Sequence, residues 1–483
     1  MNLKVISRNV GVALLVSALF MLLSVFVSLM DGGDTALAPL LISFTITFIF
    51  GIFPFFFVRK TQQISLKDGF MIIFLSWLLS FIFGMLPYAL WGGPFTVMNA
   101  WFESVSGFTT TGATILEEVE VLPRSLLFWR SSTHFIGGLG VVVFLLLMIP
   151  TSSPVRLRLT NMELNSLSRD DYRSRANKTV FIFAYVYLGI CAAAFISYLL
   201  AGMPVFDAVC HAFSVCATGG FSSRTASIGA FGSPAISIIT IVFMFLASIH
   251  FGLIFVALVN RSVRPLHNPV LRFYCISLAA IAVITSLSLK LENVDTSWGS
   301  AFLNGTFHVV SYASTTGFAI SDNASWPMLP CFMLILVSLI CGCAGSTTGG
   351  IKVDRMMVLF KAIHMQILKT LYPSSIFEVR VGRRILHDEE IYPQVLYIAM
   401  YFLLLGLSAI TILLLGDPNG HALTGSVATL GNVGPSIGTI GSMGNFNMEP
   451  GAIKFVYTLN MFMGRVEIYP VFAVFSSIFN RKY

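Results

Sequence analysis

Four short stretches of this chain carry the residue types from which a backbone-lined ion site is built. They read WFESVSGFTTTGAT over 101 to 114, AVCHAFSVCATGGFS over 208 to 222, GTFHVVSYASTTGFA over 305 to 319 and GSVATLGNVGPS over 425 to 436. Aligned on their last shared glycine, they bring Gly112, Gly220, Gly317 and Gly434 into one column, at intervals of 108, 97 and 117 residues. Two positions earlier stand Thr110, Thr218, Thr315 and Asn432, with Thr111, Gly219, Thr316 and Val433 between. Six positions earlier stand Ser106, Ser214, Ser311 and Ala428. One such cluster is ordinary turn or helix-packing chemistry, but four in register constitute a repeat.

The chemistry follows from grouping four such stretches about one axis. Each begins as an apolar segment too brief to cross a bilayer. It reads as a half-helix whose carbonyl end, partially negative, favours a cation. The loop after it is expected to leave extended with its carbonyls turned to the axis, and a glycine suits the point where φ must exceed zero. A ring of carbonyls can replace the water shell of a cation without formal charge. Irregular backbone at that depth is tolerable only where it lines a water-filled path. Glu103, Glu117, Glu118 and Glu120 flank the first stretch, where they either concentrate cations at a mouth or merely follow topology.

The elements that must position these loops are membrane helices. Length alone, 483 residues, allows about three soluble domains. Composition overrides it, with 56% AVILMFWYC and only 11% charged residues, against about 25% charged in soluble domains. Soluble enzymes and nucleic-acid binders are excluded on that ground. The formal charge of +7 follows from Lys and Arg collecting in cytoplasmic loops. Seven cysteines lie in apolar stretches with no paired CxxC motifs, so neither a disulfide framework nor a zinc site is indicated. The apolar run from Val10 to Met30 exceeds a signal-peptide core and reads as a retained span.

Apolar runs long enough to span fall near 8 to 30, 36 to 58, 69 to 92, 124 to 149, 178 to 202, 231 to 259, 270 to 290, 325 to 363, 391 to 416 and 451 to 480. With a cytoplasmic N-terminus, the inner segments hold 23 of the 29 basic residues, and the outer ones hold Asp31, Asp34, Glu292, Asp295, Asp322, Asp417 and Glu449. Both termini are therefore expected in the cytoplasm. The expected fold is an all-α polytopic membrane protein with four pseudo-repeats of helix, pore half-helix, filter loop and helix around one ion pore. Two extra helices occupy 1–66, and the repeats occupy 67–155, 156–262, 263–372 and 373–483.

At these four loops the chain resembles the Trk/Ktr/HKT superfamily of potassium transporters, over nearly its whole length. The two helices before the first repeat resemble the bacterial Trk membrane subunit more than the shorter Ktr subunit. The resemblance implies one K⁺ filter whose key residues are Gly112, Gly220, Gly317 and Gly434. It places K⁺ at Thr111, Gly112, Gly219, Gly220, Thr316, Gly317, Val433 and Gly434, with Thr110, Thr218, Thr315 and Asn432 completing the filter. Relatives with serine in the first loop tend to favour sodium, so four glycines imply a K⁺ preference. None of the four loops is the TVGYG of a potassium channel. The implied role is potassium uptake across the bacterial cytoplasmic (inner) membrane, with K⁺ as the transported ion and no covalent or organic cofactor. A homodimer on a cytoplasmic ring of nucleotide-binding regulatory proteins is implied as well; the chain itself has no Rossmann fingerprint.

A second signature interrupts the run near 325 to 363, where CGCAGSTTGGIK spans Cys341 to Lys352. Glycines with Ser346, Thr347 and Thr348 do not sustain a helix there, although small residues in membrane helices also serve close packing. By resemblance, Gly345, Ser346, Thr347, Thr348, Gly349, Gly350 and Lys352 form an intramembrane loop that blocks the pore below the filter and moves on activation. Arg465, in NMFMGRVEI, also matches the family. A buried arginine needs partners, and this one either holds loop carbonyls or pairs with Glu467.

The remaining polar features carry less. His211 and His308 share a column with Glu103 and Gly425, nine before the filter glycines, and are expected to cap or pack half-helices. Gly137, Gly138 and Gly140, and His250 with Gly252, are expected as inner-pore packing positions. The basic segments 156 to 178 and 352 to 384 follow topology, and are also candidate docking surfaces for a regulatory subunit or anionic lipid. K⁺ symport with H⁺ or Na⁺ is the alternative to channel-like conduction. An intramembrane enzyme using His134, His211 or His250 has no G-x-S-x-G or H-E-x-x-H motif behind it.

Overall fold

The computed structural model describes residues 2–58, 66–140, 176–382 and 384–479. The basic segment 156 to 178 lies largely outside these residues, as do Arg481, Lys482 and most of 59 to 67. Helices α1 (Leu3–Met30) and α2 (Leu37–Phe57) form a hairpin. They meet so closely at Gly11 that a Cβ there would lie 2.6 Å from Gly51 O. Ser17, Ala18, Ser24 and Ser28 are buried on α1 among larger apolar residues such as Val10, Leu14 and Met21, and small residues of this kind let membrane helices approach.

Four groups of helices follow. The first comprises α3 (Leu66–Gly84), its short continuation α4 (Leu86–Trp91), the half-helix α5 (Val97–Phe108) and α6 (Arg124–Leu139). The second has α7 (Ala176–Leu200), half-helix α8 (Val205–Cys216), α9 (Pro234–Ser248) and α10 (Phe251–Val259). The third has α11 (Pro269–Leu291), half-helix α12 (Trp298–Ala313), α13 (Met328–Ile340) and α14 (Val353–Leu371). The fourth has α15 (Asp388–Leu414), half-helix α16 (Ala422–Leu430), α17 (Gly451–Val466) and α18 (Ile468–Phe479). Between α14 and α15 lies a small antiparallel hairpin, Val379–Val381 with Arg384–Leu386, in which Val379 pairs with Leu386. The architecture is an all-α polytopic membrane fold.

The half-helices contain 12, 12, 16 and 9 residues. At about 1.5 Å per residue none spans the hydrocarbon layer. Thr96 accepts the Asn99 N–H at the start of α5, and Ser297 and Ser300 form a reciprocal cap on α12. Phe81 of α3 stands edge-on to Trp101 and to Phe462 of α17, at 6.0 and 5.7 Å between ring centroids. These rings fix α5 between the first and last groups.

Among the described residues six helices are long and apolar enough to cross a membrane, and α9 with α10 would make a seventh, bent by 100°. Three of the expected spans are broken, the one at 325 to 363 as its glycine-rich stretch implies and the other two unexpectedly. The run 231 to 259 turns at Ile249 and His250, 325 to 363 opens into a loop between Cys341 and Lys352, and 451 to 480 breaks at Glu467, where φ is 67°. α6 is followed as far as Gly140, at φ 75°. The second, third and fourth groups thus each have an interruption among the described residues of their last helix; the apolar pattern does not register those at 249–250 and 467, because the flanking residues stay apolar.

Candidate functional site

The four half-helices end in one conformation. Thr110, Thr218, Thr315 and Asn432 are left-handed, with φ of 51, 54, 54 and 53°. Their N–H groups donate to Gly107, Val215, Tyr312 and Thr429 O at 3.1 to 3.2 Å. The next N–H groups, of Thr111, Gly219, Thr316 and Val433, reach back to Ser106, Ser214, Ser311 and Ala428 O, all at 2.9 Å. This pair of bonds is the Schellman closure, which normally places glycine or asparagine at the left-handed residue. Threonine there costs roughly 1–2 kcal/mol of steric strain. The hydroxylated column was visible in sequence, but its handedness was not; Asn432, aligned with three threonines, was the available signal.

Beyond each closure the chain reaches Gly112, Gly220, Gly317 and Gly434, at φ of 79, 81, 76 and 89°. A Cβ on Gly112 would run into Gly219 O, one on Gly220 into Thr316 O, one on Gly317 into Val433 O, and one on Gly434 into Thr111 O. The contacts therefore close a circle through all four loops in chain order. All four glycines line one open mouth, together with Glu117, Arg130 and Arg224.

Adjacent loops are tied outside the ring. Loops two and three share Gly229 N–H to Ala319 O (3.1 Å) and Ala319 N–H to Ser227 Oγ (3.2 Å). Loops three and four share Ser436 O, which accepts from Tyr312 Oη (2.9 Å) and Asn323 Nδ2 (3.2 Å). Loops four and one share Phe446 N–H to Thr114 O (2.8 Å) and Asn432 Nδ2 to Thr111 Oγ1 (3.0 Å). Between loops one and two stands Arg130 of α6, which donates to Ser222 O at 3.1 Å and to Glu103 Oε1 at 2.7 Å.

Glu103 is consequently not a mouth residue. It is fully buried behind loop one, where it also accepts from Thr114 Oγ1 and the Ile115 N–H. Of the four flanking acids, Glu117 lines the mouth and Glu120 accepts the Thr225 N–H of the second group at 2.9 Å. His211 takes the equivalent place to Glu103 in the second group, with Nδ1 donating to Asp207 O and Nε2 at 2.9 Å from Ser222 Oγ. His308 does so in the third, between Asn304 O and Ser321 O. These side chains brace each half-helix to the segment that leaves it. Gly137 and Gly138 permit α6 to press on the ends of α5 and α8, since added Cβ atoms would meet Phe108 O and Ala217 Cα.

On the half-helix side of the ring, opposite the mouth, lies the loop from Cys341 to Lys352. Thr347 O accepts from Thr218 Oγ1 (3.0 Å) and from Arg465 Nη1 (2.5 Å). Thr347 Oγ1 lies 3.2 Å from both Cys216 O and Ala247 O. Gly349 N–H donates to Thr315 Oγ1 at 3.1 Å, and a Cβ on Gly349 would lie 2.6 Å from Gly431 O. Ser346 and Thr348 join through their hydroxyls (2.8 Å), Gly345 O accepts the Phe251 N–H (2.9 Å), and Gly345 and Gly350 have φ of 77 and 69°. The loop therefore spans from the second group to the fourth, against the left-handed column. Arg465 Nη2 continues to Gly137 O (2.8 Å) and Gly138 O (3.0 Å). Glu467 pairs instead with Arg355 at 3.0 Å and Lys352 at 3.7 Å. Arg130 and Arg355 were missed in sequence, though an arginine within a membrane stretch is itself a signal.

A family model described as TrkH, cation transport protein, matches residues 38–482. The Trk system potassium uptake protein TrkH of Halomonas elongata is 32% identical over 486 residues, covering 100% of both chains. The protein of that name in Escherichia coli (strain K12) is 31% identical over 488 residues, again covering 100% of both. The crystal structure of the potassium transporter TrkH from Vibrio parahaemolyticus superposes with a TM-score of 0.89 at 30% identity, covering 100% of each chain. With its circle of four loops and a sequence alike from end to end, this chain belongs to the TrkH family of cation transport proteins.

Proposed function

We propose that this chain is the pore of a potassium uptake system, with Thr110 to Gly112, Thr218 to Gly220, Thr315 to Gly317 and Asn432 to Gly434 forming the filter. The observation that carries the reading is the closed circle of glycine-to-carbonyl approaches. Four half-helix carbonyl ends face that circle, where their partial negative charge favours a cation, and backbone oxygens there can replace a hydration shell. Channel-like flow suffices energetically. A potential of 100 mV supplies about 2.3 kcal/mol per charge, or roughly 40-fold accumulation at about 1.4 kcal/mol per decade.

Gly345 to Gly350 and Lys352 act in this reading as a gate held shut by Arg465. The loop fills the axis on one side of the filter and borrows its bonds from Thr218, Thr315 and Arg465. The repeats are 67–155, 156–262, 263–372 and 373–483 after two extra helices, in an inner-membrane protein with both termini cytoplasmic. It works as a homodimer on a cytoplasmic nucleotide-binding ring, with lipid around its apolar faces.

The test is ion flux into liposomes from purified protein, with K⁺, Na⁺ and pH gradients varied separately. K⁺ flux in preference to Na⁺, indifferent to the pH and Na⁺ gradients, is expected. Flux that demands a proton or sodium gradient would establish symport instead. Nucleotide-dependent gating by the purified chain alone would remove the need for a regulatory ring.

A further inference from the structure

We infer that Arg130 is a specificity-setting positioning residue, which holds filter loops one and two at their working separation. The inference rests on the filter reading above. Three junctions between adjacent loops use neutral hydrogen bonds among the groups described, whereas the first has a buried ion pair at its centre. The Arg130 and Glu103 side chains are 2% and 0% exposed, with Nε 2.7 Å from Oε1.

All three nitrogens of the guanidinium are engaged. Nη1 donates to Ser222 O of loop two at 3.1 Å, and Nη2 to Thr114 Oγ1 of loop one at 3.2 Å. Its central carbon lies 3.8 Å from the centroid of the Phe221 ring, next in sequence to Gly220. One helical turn later His134 stacks on the same ring, at 4.1 Å between centroids and 14° between planes. The imidazole also occupies the space that a Cβ on Gly219 would need. Two residues of α6 at i and i+4 therefore hold the backbone of Gly219, Phe221 and Ser222. Glu103, from α5, holds Thr114 and Ile115 just after Gly112.

A purely stabilising role does not require charge here, because a buried pair gives little advantage over well-packed apolar residues. What a planar five-donor fork provides is fixed geometry to several acceptors at once. In a carbonyl ring the spacing of adjacent loops is the width of the ion site, so a rigid spacer at one junction bears on which ion fits. Arg130 borders the same mouth as the four glycines, but it is only 2% exposed, and its hydrogen bonds go to Glu103, Ser222 and Thr114. Its effect is transmitted through Ser222, Phe221 and Thr114.

Full-length wild type, Arg130→Gln, Arg130→Lys and Phe221→Leu are compared for relative K⁺ and Na⁺ influx in liposomes, with folding checked by gel filtration and thermal melting. A several-fold rise in relative Na⁺ influx is expected for Arg130→Gln and Phe221→Leu. Arg130→Lys, which keeps charge without the fork, falls between them and wild type. Folded Arg130→Gln and Phe221→Leu with wild-type ion preference overturn the assignment, whatever their melting temperatures. Should Arg130→Gln not fold, Phe221→Leu decides alone, because it leaves the ion pair intact. A wild type with no K⁺ preference would instead defeat the filter reading, and this inference with it.

Discussion

The carbonyl oxygen of Thr347 accepts hydrogen bonds from Thr218 Oγ1 and Arg465 Nη1, at 3.0 and 2.5 Å, so one atom of the loop from Cys341 to Lys352 joins a half-helix end to a helix two groups away. Arg465→Ala removes that donor and the bonds to Gly137 O and Gly138 O. Basal K⁺ flux should rise and dependence on a regulator should fall, with ion preference nearly unchanged because the ring is untouched. Deletion within Ser346 to Gly349 should act alike. Folded variants with wild-type flux in liposomes would reduce the loop to packing, and lost preference would make Arg465 a support of the filter.

Gly112→Ser sets a Cβ against Gly219 O at a backbone φ of 79°. The left-handed strain alone is about 1–2 kcal/mol, so if it were expressed wholly in discrimination, K⁺ over Na⁺ preference would fall by roughly tenfold. Permeability ratios measured side by side in one lipid mixture check this. Identical ratios would mean that loop one does not shape the ion site.

Thr218→Val and Thr218→Asn separate conformation from bonding. Valine loses the bond to Thr347 O and is still a branched residue at φ 54°. A loss of about 1–2 kcal/mol is expected from a missing hydrogen bond and its orphaned acceptor, with a leakier closed state. Asparagine, which tolerates the left-handed region, should keep near-normal stability. Detergent melting curves together with basal flux report both, and a valine variant as stable and tight as wild type refutes the account.

Much of this arrangement was legible in the chain because it recurs. Gly112, Gly220, Gly317 and Gly434 stand out only as a column, and the column exists because four loops solve the same steric problem. The left-handed threonines were hidden, since local preference argues against them and the neighbouring half-helices override it. Glu103 was misplaced for a related reason. An acid beside a loop reads as exposed until its partner is known, and Arg130 lies 27 residues away on another helix. Glu467 breaks the last helix between Gly464 and Pro470, signals that the surrounding apolar run masks, and its backbone is held at φ 67° while its carboxylate pairs with Arg355 and Lys352.

That cluster yields a fourth prediction. Arg355 and Glu467 side chains are 7% and 11% exposed, and removing one partner of a buried pair typically costs about 3–5 kcal/mol. Glu467→Ala should therefore melt well below wild type, and Arg355→Met combined with Glu467→Met should recover part of the loss. Additive losses in a double-mutant cycle would show that the two residues do not act as a pair.

The circle of loops also dictates an order of manufacture. Its closing bond, Asn432 Nδ2 to Thr111 Oγ1, joins residues 321 apart, so the first quarter of the ring must wait in the membrane until nearly the whole polypeptide has been synthesised. Contacts of such long sequence separation form late and slowly. Chains truncated before α16 should then yield no narrower or weaker pore, but a set of unclosed helices with exposed loop carbonyls, the kind of product that quality-control proteases remove.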